Sequence, residues 1–180
     1  MIETERLILR KPRLEDGDAI APLYTDPVAM EFIGGVHPDV AADPAFPIRR
    51  WLERWELNGF GQLLAERRDD GAVVGRVGLV VWDTSIWRIT SLPEAGDHAQ
   101  PELGWALARA HWGHGYATEG ARGVRDWARG ELGIGRLVSV IAPGNLRSQR
   151  VAEKLGAVPG ETVQLDDGYV GPAVVWEHLS

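Results

Sequence analysis

The feature that most constrains this chain is a strand that runs through two glycines straight into a helix. The segment PELGWALA at 101–108 has the character of a strand, and HWGHGYATEGARG at 111–123 places Gly113 and Gly115 just before a helical pattern. Small apolar residues recur on one face of that helix, namely Ala117, Ala121, Val124 and Ala128. The sequence therefore predicts a strand–helix unit whose turn is built from glycine.

A turn of this kind presents main-chain donors to an anion. The first N–H groups of a helix have no partner inside the helix, and the helix dipole adds a positive potential there. Glycine removes the Cβ that would keep a ligand away from the main chain. From the spacing alone, a phosphate-binding loop and a tight turn that merely requires glycine both stay open.

Two common phosphate-binding motifs do not match this turn. A P-loop requires Gly-Lys followed by Ser or Thr, a tripeptide that occurs nowhere in the chain. The dinucleotide fingerprint requires a third glycine where this chain has Thr118. The next strand also ends in IAPGN, without an acidic residue that would bind a ribose.

The rest of the pattern predicts a mixed sheet with helices on both faces, an α/β or α+β fold. Strands are predicted at 6–12, 61–68, 72–82, 101–108 and 136–142, followed by a final hairpin. The hairpin turns are Asp69-Asp70-Gly71 and Asp167-Gly168. Helices are predicted at 14–24, 48–57, about 116–130 and within 143–157, where Gly156 ends the helix. The Gly- and Pro-rich segment 34–47 and the segment 83–100 are expected to be irregular.

Two topological expectations follow from this order of elements. The helix at about 116–130 should connect two parallel strands, of which 136–142 is covered on both faces. A chain of 180 residues without a linker or an internal repeat is expected to form one domain, residues 1–180.

Composition excludes several classes of site and partner. The absence of cysteine excludes disulfides and thiolate metal sites. A formal net charge of −7 argues against a nucleic-acid partner and mildly favours a cationic one. The N-terminal MIETERLILRKPR lacks the apolar core of a signal peptide, and no 18-residue apolar run occurs. We therefore expect a soluble, cytoplasmic protein with no membrane partner.

The segments ELGWALARAHWGHGYATEGARGVRDWA and RLVSVIAPGNLRSQRVAEKLGA together resemble the GCN5-related N-acetyltransferase (GNAT) family. They are most similar to its ribosomal-protein N-terminal acetyltransferase-like branch, as is the opening RLILRKPRLEDGDAI. The resemblance covers about residues 4–178. It implies a mixed, mostly antiparallel sheet with a splayed central strand pair and helices on both faces. It also implies acetyl-CoA as co-substrate, no metal, a small amine or a protein N-terminal amine as acceptor, and a homodimer as one arrangement.

The resemblance assigns the cofactor-binding residues. The loop that holds the pyrophosphate and the start of its helix match Trp112, Gly113, His114, Gly115, Tyr116, Ala117 and Thr118. Trp112 replaces the Gln or Arg usual in the family, and His114 replaces a Lys or Arg, so the main chain should supply most of the binding. Leu107 and Ala108 match the strand whose main chain pairs with the pantetheine arm. Asn145 would bond the pantetheine or acyl region, and a helix N-cap is its other interpretation.

The resemblance also suggests the catalytic groups. Many members carry a tyrosine acid seven residues after the Asn, but that position is Ala152 here. Ser148, which matches a serine of the branch, is the predicted proton donor, or else only a polar residue near a helix start. Glu102 is the first candidate for the base and Glu66 the second. A surface role for Glu102 and a proton relay through water both stay open.

The loop before the strand at 101–108 is expected near the acceptor. Glu94, Asp97 and His98 are candidates to line the acceptor pocket, although each is also typical of a solvent-facing loop. Trp82 and Trp87 flank that loop and are expected to form a substrate wall or a dimer contact.

The leading function is acetyl-CoA-dependent transfer of an acetyl group to a primary amine by direct attack, since no cysteine is available for an acyl-enzyme. The missing tyrosine acid suggests an alternative, a non-catalytic acyl-CoA-binding sensor or adaptor. A nucleotide-binding module that uses the same loop is a third hypothesis.

Overall fold

The computed structural model describes residues 1–167 and 169–179. Within them the chain forms nine strands. The strands are β1 (Ile2–Glu3), β2 (Leu7–Arg10), β3 (Gln62–Arg67), β4 (Val73–Asp83), β5 (Arg88–Thr90), β6 (Ala99–Leu107), β7 (Leu137–Ile141), β8 (Ala157–Asp167) and β9 (Tyr169–His178). They form one sheet with the order β1-β2-β3-β4-β6-β7-β9-β8, and β5 pairs with β4. All pairs are antiparallel except β6 with β7.

The described residues also form seven α-helices. They are α1 (Gly17–Thr25), α2 (Pro27–Met30), α3 (Pro38–Ala42), α4 (Phe46–Asn58), α5 (Leu92–Ala95), α6 (Tyr116–Gly130) and α7 (Leu146–Lys154). Short 3-10 turns lie at Leu14–Asp16, Gly96–His98 and Arg109–His111. None of the helices described has the length and apolar character needed to cross a bilayer.

The predicted irregular segments are the part of the sequence-based prediction that was wrong. Residues 34–47 contain α3 and the start of α4, and residues 83–100 contain β5 and α5. All three of these helices carry proline in their first turn. Proline is tolerated there because the first N–H groups have no helical partner, so these prolines mark helix starts where the sequence suggested loops.

The four predicted helices are confirmed, and two of them cover opposite faces of the sheet. The buried face of α6 packs against the strands through Ala121, Val124 and Ala128, each 0% exposed. On the other face, Ile48 and Trp51 of α4 pack in a cluster with α1. Helices on both faces are therefore confirmed.

Both predicted hairpins pair as expected. Gly71 adopts φ +74° in the turn between β3 and β4, a left-handed conformation that favours glycine. The β8–β9 pairing extends to Asp167 and Tyr169. Gly168, the residue predicted to make that turn, lies outside the described residues.

The centre of the sheet contains a splayed strand pair. Strands β6 and β7 run parallel and pair at Glu102 and Val138. Beyond that pair, β6 remains paired with β4 as far as Leu107. Strand β7 is paired there with β9, on the side away from β6. Side chains bridge the gap: the Ser139 hydroxyl donates to the Leu103 carbonyl at 2.6 Å. The crossover through α6 and the predicted splay are both confirmed, and the splay opens an edge of β6 for a ligand.

Candidate active site

The glycine turn lies on a groove between the end of β6 and the starts of α6 and α7. The groove is a cavity of about 210 Å³. Gly113 and Gly115 have φ +79° and +82°, a conformation that costs other L-residues about 1–2 kcal/mol. No heavy atom lies within 4 Å of the place where a Cβ on Gly113 would stand. Glycine is therefore required at position 113 by the backbone conformation, and not by lack of space for a side chain.

The main-chain N–H groups at this turn are available to a ligand. In the parts of the chain that the structure describes, nothing accepts a hydrogen bond from the amides of residues 113–118. The first hydrogen bond of α6 joins the Glu119 N–H to the Gly115 carbonyl at 3.0 Å. Six consecutive donors at the N-terminus of a 15-residue helix form a site suited to a phosphate group.

Arg6 holds the turn in place, and sequence reasoning did not single it out. Its guanidinium donates to the His114 carbonyl at 2.9 Å and lies 4.9 Å from the centre of the Tyr116 ring. It also forms an ion pair with Glu119 at 2.6 Å. Burial alone would raise the pKa of Glu119, but hydrogen bonds from Thr4 and Arg6 outweigh it and lower that pKa. The turn is thereby fixed to the first strands of the sheet.

Of the residues assigned to cofactor binding, all but two line the groove. Those that line it are Leu107, Trp112, Gly113, Gly115, Tyr116, Ala117, Thr118 and Asn145. His114 does not line the groove, and its ring stacks on the Tyr116 ring with 5.6 Å between the ring centres.

Ala108 does not line the groove either, and its main chain is already paired within the protein. Its N–H donates to the Val74 carbonyl, and its carbonyl accepts from His111, both at 2.9 Å. Successive peptide groups of a strand point to opposite sides, so the Leu107 N–H points away from β4, toward the open edge of β6. The Leu107 amide therefore fits the pantetheine role better than that of Ala108, and both assignments stay predictions.

Two cations on α7 also line the groove. Arg147 stacks over the Trp112 ring at 4.2 Å, while the Trp112 indole donates to the Leu107 carbonyl at 2.8 Å. Lys154 lies seven residues after Arg147, two helical turns along the same face. Helical spacing also puts Arg150 on that face, and Arg150 does not line the groove, so no local sequence signal singled out these two cations.

A second cavity, of about 410 Å³, lies against the α4 side of the sheet. Aromatic side chains form much of its wall, namely Tyr24, Phe32, Phe46, Trp51, Trp82 and Trp105. The two cavities share five lining residues, which are Phe32, Ile33, Trp105, Asn145 and Ser148. A ligand in one cavity therefore adjoins a ligand in the other.

Asn145 and Ser148 lie at this junction. The Asn145 side chain accepts from the Ser148 N–H at 3.1 Å, so the N-cap interpretation of Asn145 is confirmed. Within the described residues the Ser148 hydroxyl has no hydrogen-bond partner, and the side chain is half-buried. The hydroxyl is free to bond a ligand at the junction.

Glu102 lines the second cavity with both carboxylate oxygens bonded. The Trp82 indole donates to one oxygen, and the Val140 N–H donates to the other at 3.1 Å. Burial raises the pKa of Glu102 above its usual range. A carboxylate with a raised pKa that faces a cavity is a candidate general base.

The other candidates at the acceptor side do not line either cavity. They are Glu66, Glu94, Asp97, His98 and Trp87. Glu66 accepts from the Arg10 Nε at 2.6 Å, and the Trp87 ring packs 6.1 Å from that of Trp82. Trp82 lines the second cavity, and its role as a substrate wall or a dimer contact stays a prediction.

Comparison with known proteins agrees with this geometry. Residues 6–158 match the family model of the acetyltransferase (GNAT) domain. The chain is similar to the uncharacterized protein YkkB of Bacillus subtilis, with 31% identity over 98% of this chain and 94% of YkkB. It is also similar to the uncharacterized N-acetyltransferase p20 of Bacillus licheniformis, with 25% identity over 84% of this chain and 79% of p20.

A solved structure shares the whole architecture. The crystal structure of an acetyltransferase from Agrobacterium tumefaciens superposes with a TM-score of 0.77 and 27% sequence identity, covering 99% of this chain and 94% of that one. The family match and these relatives lead to one conclusion: the chain belongs to the GNAT family, whose members are N-acetyltransferases that depend on acetyl-CoA.

Proposed function

We propose that the groove at residues 113–118 binds acetyl-CoA, and that the second cavity binds a primary amine that is acetylated there. The observation that carries this proposal is the row of unpaired amides at the start of α6, in a groove that meets a second cavity at Ser148. Membership of the ribosomal-protein branch, a cytoplasmic location and a homodimer stay predictions.

The donors in the groove fit the cofactor. Main-chain N–H groups that bond an anion contribute about 1.5–3 kcal/mol each, so three or four of them would hold a diphosphate without a lysine in the loop. Arg147 and Lys154 add positive charge along the same groove. The open edge of β6 offers the Leu107 N–H to the pantetheine arm or to the thioester oxygen.

Direct transfer needs a neutral amine and two proton movements. Acetyl-CoA supplies an acetyl group activated as a thioester. The amine nitrogen attacks the carbonyl carbon, and the C–N bond forms as the C–S bond breaks. The nitrogen must then lose a proton, and the departing sulfur must gain one.

Two side chains of this protein are suited to those proton movements. Ser148, at the junction of the cavities, relays a proton: its hydroxyl proton goes to the departing sulfur, and its oxygen takes up a proton from solvent in turn. Glu102, on the acceptor side, takes the proton from the nitrogen directly or through a water molecule. Its raised pKa makes it a stronger base than an exposed carboxylate.

The missing tyrosine acid, which suggested a non-catalytic sensor, does not exclude catalysis. Ala152, where many members carry the tyrosine acid, is 0% exposed and packs with Ala157 and Trp176 away from both cavities. In this proposal Ser148 supplies the proton from one turn earlier on α7.

The proposal is tested with purified protein, acetyl-CoA and a panel of amines. Thiol released from acetyl-CoA is followed spectroscopically, and acetylated products are identified by mass. We expect CoA binding by calorimetry and thiol release that depends on the acceptor. Protein that is folded but does not bind CoA would rule the proposal out, and binding without turnover of any amine would favour the sensor.

A further inference from the structure

The side chains that line the second cavity have a net positive charge, although the chain as a whole has a negative one. The charged side chains that line it are Arg50, Arg54, Arg76 and Glu102, in a protein whose formal net charge is −7. Arg54 pairs with Glu94 at 3.4 Å. In the part of the chain that the structure describes, neither Arg50 nor Arg76 forms an ion pair with a carboxylate.

The inner part of the cavity holds two buried polar atoms that have no hydrogen-bond partner among the described residues. Gln62 is 4% exposed, and its side-chain oxygen accepts no hydrogen bond from the described residues. The Arg76 Nε is buried and donates none there. Buried polar groups in native proteins are nearly always hydrogen-bonded, so these two indicate a polar ligand.

Gly104 leaves room for that ligand. A Cβ on Gly104 would lie 3.9 Å from the Arg76 Nη1, 3.9 Å from the Glu102 Oε1 and 4.0 Å from the Gln62 Nε2. Three polar side chains from β3, β4 and β6 therefore surround a space that a larger residue at position 104 would fill.

We propose that the acceptor is a small molecule that carries an anionic oxygen group, in the first place a carboxylate, in addition to its primary amine. The inference rests on the proposed function and specifies its substrate class. Arginine binds carboxylate and phosphate through a planar pair of N–H donors, and among the described residues neither Arg50 nor Arg76 forms an ion pair with a carboxylate. The aromatic wall takes the apolar body of the molecule. Glu102 borders the same space as Arg76, so the reacting amine lies close to the anionic group.

The charge of the cavity also disfavours the cationic acceptor that the net charge suggested. A polyamine would bring a second ammonium group close to the guanidinium groups of Arg50 and Arg76, which form no ion pair with a carboxylate of the described residues. An amine with a carboxylate supplies a counter-ion and leaves only one ammonium to be deprotonated.

Matched pairs of acceptors test the inference. Phenylalanine is compared with phenylalaninamide and phenethylamine, leucine is compared with isoamylamine, and phosphoethanolamine is compared with ethanolamine. Each rate is corrected for the fraction of the amine that is neutral at the pH of the assay. We expect kcat/KM to be at least about tenfold higher for the anionic member, with most of the difference in KM. The first two comparisons report on a carboxylate and the last on a phosphate. Equal or better use of the uncharged amines would overturn the inference.

Variants link the preference to the arginines. Arg50→Gln and Arg76→Gln should each reduce the preference for the anionic member at least about threefold. The preference is a ratio of two values of kcat/KM in the same variant, so a general effect on rate does not change it. Arg49→Gln is the matched control, since Arg49 is the neighbour of Arg50 on α4 but pairs with Asp43 and does not line the cavity. Arg50 is exposed, so its variant should fold even if Arg76→Gln does not. An unchanged preference in Arg50→Gln and in any folded Arg76→Gln would contradict the inference.

Failure of the inference is distinguishable from failure of the proposed function. CoA binding by calorimetry and thiol release test the function for every protein in the series. Calorimetric binding of phenylalanine against phenethylamine tests the cavity without turnover. Tighter binding of phenylalanine supports the inference even in the absence of transfer, and equal binding of the two overturns it.

Discussion

At the scale of single residues, the proposed chemistry depends on two side chains whose surroundings differ. Ser148 has an unbonded hydroxyl at the junction of two cavities, whereas Glu102 has both oxygens bonded and a pKa raised by burial. The first is free to donate a proton, and the second is a fixed acceptor with increased basicity. Each can be tested without changing the fold.

Replacing Ser148 with alanine should lower kcat more than it lowers affinity for CoA. Loss of a proton donor typically costs about 10²-fold or more in rate, whereas the main-chain N–H that Asn145 caps is kept. Steady-state kinetics and calorimetry measure the two effects. Arg150→Ala, an exposed change on the same helix, should leave both values unchanged, and an unaltered kcat in Ser148→Ala would remove the serine from the mechanism.

Replacing Glu102 with glutamine should change the pH profile. In the wild type, kcat/KM calculated on the neutral amine should fall as pH decreases through the raised pKa of Glu102, because a protonated carboxyl accepts no proton. Glutamine keeps the size of the side chain but cannot take up the proton, so kcat/KM should fall at least about tenfold and that acidic limb should disappear. A variant with the same acidic limb as the wild type would show that another group is the base.

At the scale of elements, the strand–helix turn was predictable because its signals are local. Two glycines before an amphipathic helix specify a left-handed turn, and both adopt it. The helices α3 and α5 were missed because proline in a first turn resembles proline in a loop. The arginines of the second cavity had no local signal, since Arg50 and Arg76 lie on different elements and converge only through packing.

Replacing Gly115 with valine should weaken CoA binding at least about tenfold. A branched residue at φ +82° is strained, and its Cβ would stand 3.4 Å from the Arg6 guanidinium that holds the turn. Calorimetry measures the affinity, and thermal unfolding verifies that the variant folds. The matched control is Gly130→Ala at the other end of α6, where a Cβ meets no atom within 4 Å. Affinity within twofold of wild type in Gly115→Val would contradict the role of the turn.

At the scale of the whole molecule, one buried cluster joins three strands around the splay. The Ser139 hydroxyl donates to Leu103 on β6 and bonds the His178 Nε2 of β9 at 2.9 Å. Because the Ser139 hydroxyl donates its proton to the Leu103 carbonyl, the His178 Nε2–H is the donor to the Ser139 oxygen. The Nδ1 of the neutral His178 ring therefore carries no proton. Burial, assisted by Arg125 and Arg129, lowers the pKa of His178 to about 4. The splay is thus fixed by a histidine that is neutral in the folded protein.

This neutral histidine makes the free energy of unfolding depend on pH. Between about pH 6.5 and about pH 4 the unfolded chain binds a proton that folded His178 does not, so stability should fall as pH decreases through that window. Denaturant unfolding at several pH values measures the effect. The variant His178→Gln should lose that part of the dependence, and an identical pH dependence in both proteins would contradict this role of His178.

The most direct test of the account is to observe the amides of residues 113–118 by NMR while CoA is added. Pantetheine, which lacks the diphosphate, is titrated in parallel. If these N–H groups bind the diphosphate, their resonances should shift strongly with CoA and little with pantetheine, while Leu107 responds to both. Saturation with CoA that leaves the amides of 113–118 unshifted would contradict the central claim.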